Sequence, residues 1–160
     1  MPDYFSQVSI HLVITVEERA SVITDSYEEE LFRYMAGTIN NLKSYSLAVG
    51  GYRNHVHLLF ELHPTMSISE IVREVKRSSA DWINSGHKIP AYFRWQKGYG
   101  AFSVSHSFRG EVIEYIRNQR LHHQQNRLSF RDEFKLFLDR AGIAYDPKYI
   151  LGTPDDSSPT

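Results

Sequence analysis

Between Tyr4 and Val16, apolar side chains fall on every second position (Val8, Ile10, Leu12, Ile14, Val16), the period of a strand with one buried face. The period then lengthens. Asp25 and Glu28 have capping-box spacing, and Tyr27, Leu31, Tyr34, Met35 and Leu42 recur at helical intervals, predicting a helix over about 26–43. Residues 44–49 and 53–62 read as two more strands, with Gly50 and Gly51 between them suited to a hairpin turn. Ser67 with Glu70 starts a second helix, whose buried stripe is Ile68, Ile71, Val72, Val75, Ser79, Trp82 and Ile83. Residues 92–105, aromatic and broken by Gly98 and Gly100, predict a fourth strand with a bulge at the glycines. Ser107 caps a helix to about Gln125, and Ser129 starts a last one that Gly142 ends.

Strand, helix, two strands, helix, strand is the βαββαβ order of a ferredoxin-like or RRM-like α+β fold: a four-stranded antiparallel sheet with helices on one face, here followed by extra C-terminal helices. Without repeat or linker, 1–152 reads as one domain and 153–160 as a disordered tail. That fold carries many functions and names none.

With 160 residues, 41% apolar and 23% charged, the chain can bury one core. It has no cysteine, which excludes a disulfide framework, a zinc ribbon and a thiolate nucleophile and suits the cytoplasm. The first apolar run is too short to span a bilayer and lacks a basic leader, so no membrane segment is expected. Net charge is −1, but residues 71–131 hold eleven Lys or Arg against four acids, a balance of +7 that leaves −8 elsewhere. The middle of the chain therefore predicts an electropositive surface for a polyanion.

In NHVHLLF, His55 and His57 stand two apart on a strand, so both rings project from one face about 7 Å apart along it and can converge on a divalent cation. The same spacing also serves two ordinary half-buried histidines. In VIEYIRNQRLHHQ, Tyr115, Gln119 and His122 share one helical stripe, with neighbours about 5–6 Å apart. Tyr115 equally suits a core position beside Val112 and Ile116, and Gln119 a solvated one. Oxygen or amide donors beside imidazole favour Mg2+ or Mn2+ over a closed zinc site.

Taken together, HLVITV, NHVHLLF, SISEIVREVKRSS, WQKGYGAFSVS and VIEYIRNQRLHHQ resemble the single-tyrosine transposases of the HUH superfamily, of the insertion sequence 200/605 type, and the related REP-associated tyrosine transposases, over roughly residues 8–125. That resemblance implies His55, His57 and Gln119 as ligands of Mg2+ or Mn2+ and Tyr115 as the nucleophile, cleaving and rejoining single-stranded DNA at hairpin-forming element ends through a 5′-phosphotyrosine. It further implies a homodimer with shared active sites, in which 98–108 leads the tyrosine helix of one subunit to the histidines of the other. His122 is a candidate accessory proton acceptor. Arg73, Lys76, Arg77, Arg117 and Arg120 are candidates for DNA backbone contacts, and Tyr92, Phe93, Trp95 and Tyr99 for base stacking. The competing expectations are a nonenzymatic single-stranded nucleic-acid binder on the same sheet, with Tyr115 structural, and a domesticated REP-associated endonuclease.

Overall fold

The structure, a computed structural model, describes residues 3–151; the expected tail lies outside them. Its sheet contains β1 (Ser9–Thr15), β2 (Tyr45–Tyr52), β3 (His55–Glu61) and β4 (Gly100–Val104) in the order β2-β3-β1-β4, with every neighbouring pair antiparallel. Helix α1 (Glu28–Asn41) connects β1 to β2 and α2 (Ile68–Ser85) connects β3 to β4, which is the α+β order the periodicity predicted. Three helices follow: α3 (Arg109–Arg117), α4 (Gln119–Gln124) and α5 (Phe130–Ala141). Among the described residues no helix is long and apolar enough to cross a membrane.

Strand alternation divides the molecule into two layers around the sheet. Ile10, Leu12 and Ile14 of β1 and Val56, Leu58 and Phe60 of β3 point to one side, where Leu31, Met35 and Ile39 of α1 and Ile71, Val75 and Ile83 of α2 close the main core. Fully buried aliphatic side chains of this kind contribute about 1.5–3 kcal/mol each. The other side presents His11, Val13 and Thr15 of β1 and His55 and His57 of β3, all buried. A second, smaller core covers it, formed by Val13 with Phe130, Phe134 and Leu138 of α5 and with Ile150. The sheet is thus covered on both faces, and the polar residues of its second face are shut inside.

Several local expectations are corrected. The hairpin turns at Arg53 and Asn54, with Arg53 at φ 59°, while Gly50 and Gly51 lie within β2. Gly50 answers a different need: a Cβ there would sit 2.5 Å from the Ile116 carbonyl oxygen, so its absence lets α3 lie directly on the strand. Asp25 does not cap α1; it pairs with Arg53 at 3.1 Å and with Arg120 at 2.5 Å. Ser67 and Ser129 do cap α2 and α5, and Gly142 ends α5 in the left-handed conformation. The fourth strand begins only at Gly100. Residues ahead of it form an irregular segment, pinned where the Trp95 indole donates to the Ser79 hydroxyl (2.9 Å) and the Asn84 amide bonds both backbone polar groups of Phe93. The single helix expected to about Gln125 is broken at Asn118 into α3 and α4, after a 3-10 turn over His106–Phe108.

Candidate active site

The hairpin places Asn54 where its side-chain oxygen accepts from His55 Nδ1 at 2.9 Å. His57 Nδ1 shares a 2.8 Å hydrogen bond with His11 Nε2 on the neighbouring strand. Both rings of the pair are thereby held with Nε2 toward the space under the C-terminal helices. Over that space, α3 brings the Tyr115 ring edge-on to His57, with centroids 5.7 Å apart, and α4 brings Gln119 Oε1 to 2.8 Å from His55 Nε2. The helix break at Asn118 leaves the predicted stripe intact.

Glu133, one turn into α5, completes the cluster. Its Oε1 lies 3.0 Å from His57 Nε2 and 3.3 Å from His55 Nε2, and its Oε2 accepts from the Gln119 amide at 3.1 Å and from the Tyr115 hydroxyl. His123 Nε2 stands 3.1 Å from Gln119 Oε1 and 3.4 Å from Glu133. Apart from Tyr115 and His123, which are partly buried, these side chains are almost wholly removed from solvent.

The donor chemistry fits a divalent cation. With its Nδ1 proton committed to Asn54, a neutral His55 ring turns a lone pair toward the Gln119 oxygen and the Glu133 carboxylate, so electron-rich atoms converge without a proton between them. Donor atoms of His55, His57 and Glu133 all lie within 4.8 Å of one another. Two imidazoles, one carboxylate and one amide oxygen suit Mn2+ or Mg2+, and outer hydrogen bonds to Asn54 and His11 orient the rings as is usual for metal-ligating histidines.

Burial lowers the pKa of His55, against the pull of Glu133, and with the help of His57 lowers that of His11 to about 3. Glu133 behaves oppositely. Burial alone would raise its carboxyl, but the adjacent His57, with His123 and His55 beside it, holds it far below the usual range. The Tyr115 phenol is pushed up, by burial first and then by the charge of Glu133. A proton shared between them therefore stays on the phenol, which makes Glu133 a weak base and a strong anionic ligand.

One consequence is measurable. His11 and His55 take up protons at about pH 6.5 when unfolded but resist protonation in the fold, so the unfolded state binds more protons and stability falls as pH drops below that value. Each ring costs up to about 1.4 kcal/mol per pH unit there, and below about pH 4.5 protonation of an unfolded Glu133 adds to the loss. Urea unfolding at pH 7, 6 and 5 should show a steadily falling midpoint; a flat profile would refute the buried neutral rings.

The structure brings together Tyr115, His55, His57 and Gln119 as expected from the sequence. The His122 ring stacks on the face of Tyr115, with centroids 4.6 Å apart, while the phenol hydroxyl goes to Glu133. Within the chain, β4 connects through Ser105 and one short turn to α3, which packs on the same chain's sheet. Of the basic candidates, Arg120 is taken up by Asp25 and Glu28, each at 2.5 Å, and tethers α4 to the start of α1. Lys76 donates to the Gln96 and Gly98 carbonyls at 2.7 Å each, and Arg117 lies 3.8 Å from Glu114. Arg73 and Arg77 are exposed, the latter beside Glu74 and Asp81. Phe93 is buried in the main core and Trp95 packs against it, so neither is free to stack on a base, whereas Tyr92 is 70% exposed.

Sequence reading missed Glu133, His11 and Asn54 as parts of the site. Glu133 did leave a signal: it is an acid among Phe130, Phe134 and Phe137, on the face of a helix that must be buried.

Comparison with solved structures finds a Deinococcus radiodurans R1 protein described as a candidate transposase, 25% identical, with a TM-score of 0.60 over 74% of this chain and 95% of that one. A REP-associated tyrosine transposase bound to a REP hairpin matches at 15% identity and a TM-score of 0.56, over 99% of this chain and 94% of its own, which speaks for the fold. No curated protein matches. A family profile described as "Transposase IS200 like" matches residues 4–119, a stretch that holds both histidines, Tyr115 and Gln119 and stops short of α5; the chain belongs to the IS200-like transposase family.

Proposed function

We propose that this transposase cleaves and rejoins single-stranded DNA at hairpin-forming element ends, with Tyr115 as the nucleophile. The observation that carries the reading is the meeting, within one chain, of a phenol hydroxyl with two imidazoles, an amide oxygen and a carboxylate. The Tyr115 oxygen attacks phosphorus, the bond to the 3′ oxygen breaks, and the strand is left with a free 3′-hydroxyl and a 5′-phosphotyrosine. Because the aryl phosphodiester keeps the capacity for transfer, attack by another 3′-hydroxyl releases Tyr115 and reseals DNA without a nucleotide cofactor. A Mg2+ or Mn2+ ion held by His55, His57 and Gln119, with Glu133 added, would supply Lewis-acid stabilisation of the charge developing on the scissile phosphate. His122 holds the phenol ring in place by stacking, and Asn54 and His11 fix the imidazoles.

Hairpin recognition draws support from the REP hairpin carried by the structural relative. The outer side of α2 is the candidate surface: Arg73, Lys76 and Arg77 line a shallow cavity of about 420 Å³ with Tyr92 and Arg94, whose guanidinium lies 5.0 Å above the Tyr92 ring. Replacing Arg73 and Arg77 together with Gln should flatten the log–log salt dependence of single-strand binding by roughly 1.4. An unchanged slope would place the DNA elsewhere.

The homodimer with shared sites belongs to this proposal as an arrangement to be tested, since exchanging α3 between copies would rebuild the same contacts in trans. Mixing inactive Tyr115→Phe and His57→Ala chains should restore cleavage if the site is shared between subunits; no restoration would establish a site made in cis. DNA as substrate is the ground for placing the activity in the cytoplasm.

The deciding experiment is manganese-dependent cleavage of labelled hairpin oligonucleotides, top and bottom strands compared, with a covalent adduct sought on denaturing gels. Tight binding with no cleavage of either strand would favour the nonenzymatic reading, in which Tyr115 only packs.

A further inference from the structure

A groove runs beside α5 toward Tyr115. Its outer part, about 470 Å³, is lined by Phe102, Phe108, Phe137 and Arg140 with Ser103 and Ser105. Its inner part, about 290 Å³, is lined by Tyr115 and Glu133. His11, Val112, Phe137 and Arg140 border both, so the two lie side by side along α5 and the inner one reaches the phenol.

Three features narrow the occupant. Phe102 and Phe137 stack on each other at 5.5 Å, while Phe108, in the same wall, is 55% exposed. Flat aromatic walls of this kind suit a nucleobase. Arg140 lies two helical turns after Glu133 on the same side of α5 and lines the inner part together with Tyr115. The acids of the wall, Glu111 and Glu133, stand at the Tyr115 end, so Arg140 is the place for a phosphate along this groove. The volume lies in the range of small-molecule sites, about 300–1,000 Å³, and is too small for stacked base pairs.

We propose that this groove binds one unpaired nucleotide of the DNA strand next to the scissile phosphate, its base against Phe108 and Phe102 and its phosphate on Arg140, and so leads the strand to Tyr115. The inference rests on the DNA-cleaving reading above and adds to it a subsite for the strand.

The test uses the full chain and a trinucleotide with 2-aminopurine at its centre, which needs neither a hairpin nor cleavage. Titration with the unaltered protein should quench the fluorescence as the base stacks. Phe108→Ala should weaken binding roughly tenfold and remove most of the quenching. Arg140→Gln should weaken binding about fivefold while leaving the quenching at saturation intact. Both side chains are exposed, so neither variant threatens the fold. No quenching, or both variants binding like the parent, would overturn the subsite. The Tyr115 adduct reports separately: an adduct without trinucleotide binding sinks only the groove, and trinucleotide binding with no adduct on any hairpin sinks only the cleavage.

Discussion

Tyr115→Phe should abolish the covalent protein–DNA adduct and lower strand cleavage by about 10⁴-fold or more, the scale of losing a nucleophile, while hairpin binding stays within about twofold. The substitution is close to ideal for this purpose. Phenylalanine keeps the ring that packs edge-on to His57 and Phe137 and stacks on His122, so α3 keeps its seat. What leaves is one hydroxyl. Its partner Glu133 retains His55, His57, His123 and Gln119, so no buried charge is left alone and the cost in stability should be about 1 kcal/mol. Denaturing gels and a thermal melt check both halves. An adduct that survives would mean another residue attacks; a collapse of binding together with cleavage would mean that the phenol serves structure.

The order of elements was legible because β1 and α2 follow their periods closely, and two of the four helix starts assigned to a particular capping residue, at Ser67 and Ser129, are real caps, while Asp25 and Ser107 cap none. The misreadings have a common cause: a residue's local preference was used by a partner distant in sequence. Gly50 and Gly51 look like a turn, but Gly50 is glycine because Ile116 presses on it, and the turn falls instead on Arg53, which takes the left-handed conformation. Asp25 has the spacing of a cap and is drawn away by Arg53 and Arg120. Likewise, Gly100 marks no bulge; its missing side chain makes room for Phe134, since a Cβ there would meet that ring at 2.5 Å.

Half of the site was legible for a related reason. His55 and His57 announce themselves because two residues on a strand share a face, and Tyr115 with Gln119 because four residues on a helix do. Glu133 lies 76 residues beyond His57, on an element whose apolar stripe reads as ordinary packing. No local period links it to the histidines. His11 is concealed differently: in β1 it alternates with aliphatic neighbours as any polar outward residue would, and only the covering of the second sheet face by α5 turns it into an inner support for His57.

Glu133→Gln should weaken Mn2+ binding at least tenfold and lower the melting temperature by roughly 4–8 °C, from the loss of about 2 kcal/mol. Among the described residues Glu133 supplies the one carboxylate in the candidate cluster, so the amide keeps its shape but removes the negative charge that offsets a buried cation. Gln119→Ala, which deletes a neutral donor, should cost less metal affinity than this. The comparison also separates two roles that the geometry superimposes, because the carboxylate both completes the donor set and sits on the Tyr115 hydroxyl. A ligand and a plug respond in opposite directions. If Glu133 holds the cation, Glu133→Gln loses metal affinity and cleavage together, and raising the Mn2+ concentration recovers part of the cleavage. If it only blocks the phenol, the variant binds Mn2+ like the parent and cleaves faster. Calorimetric titration with Mn2+ beside a cleavage series over metal concentration distinguishes the two, and the second outcome would return α5 from the chemistry to a cover over it.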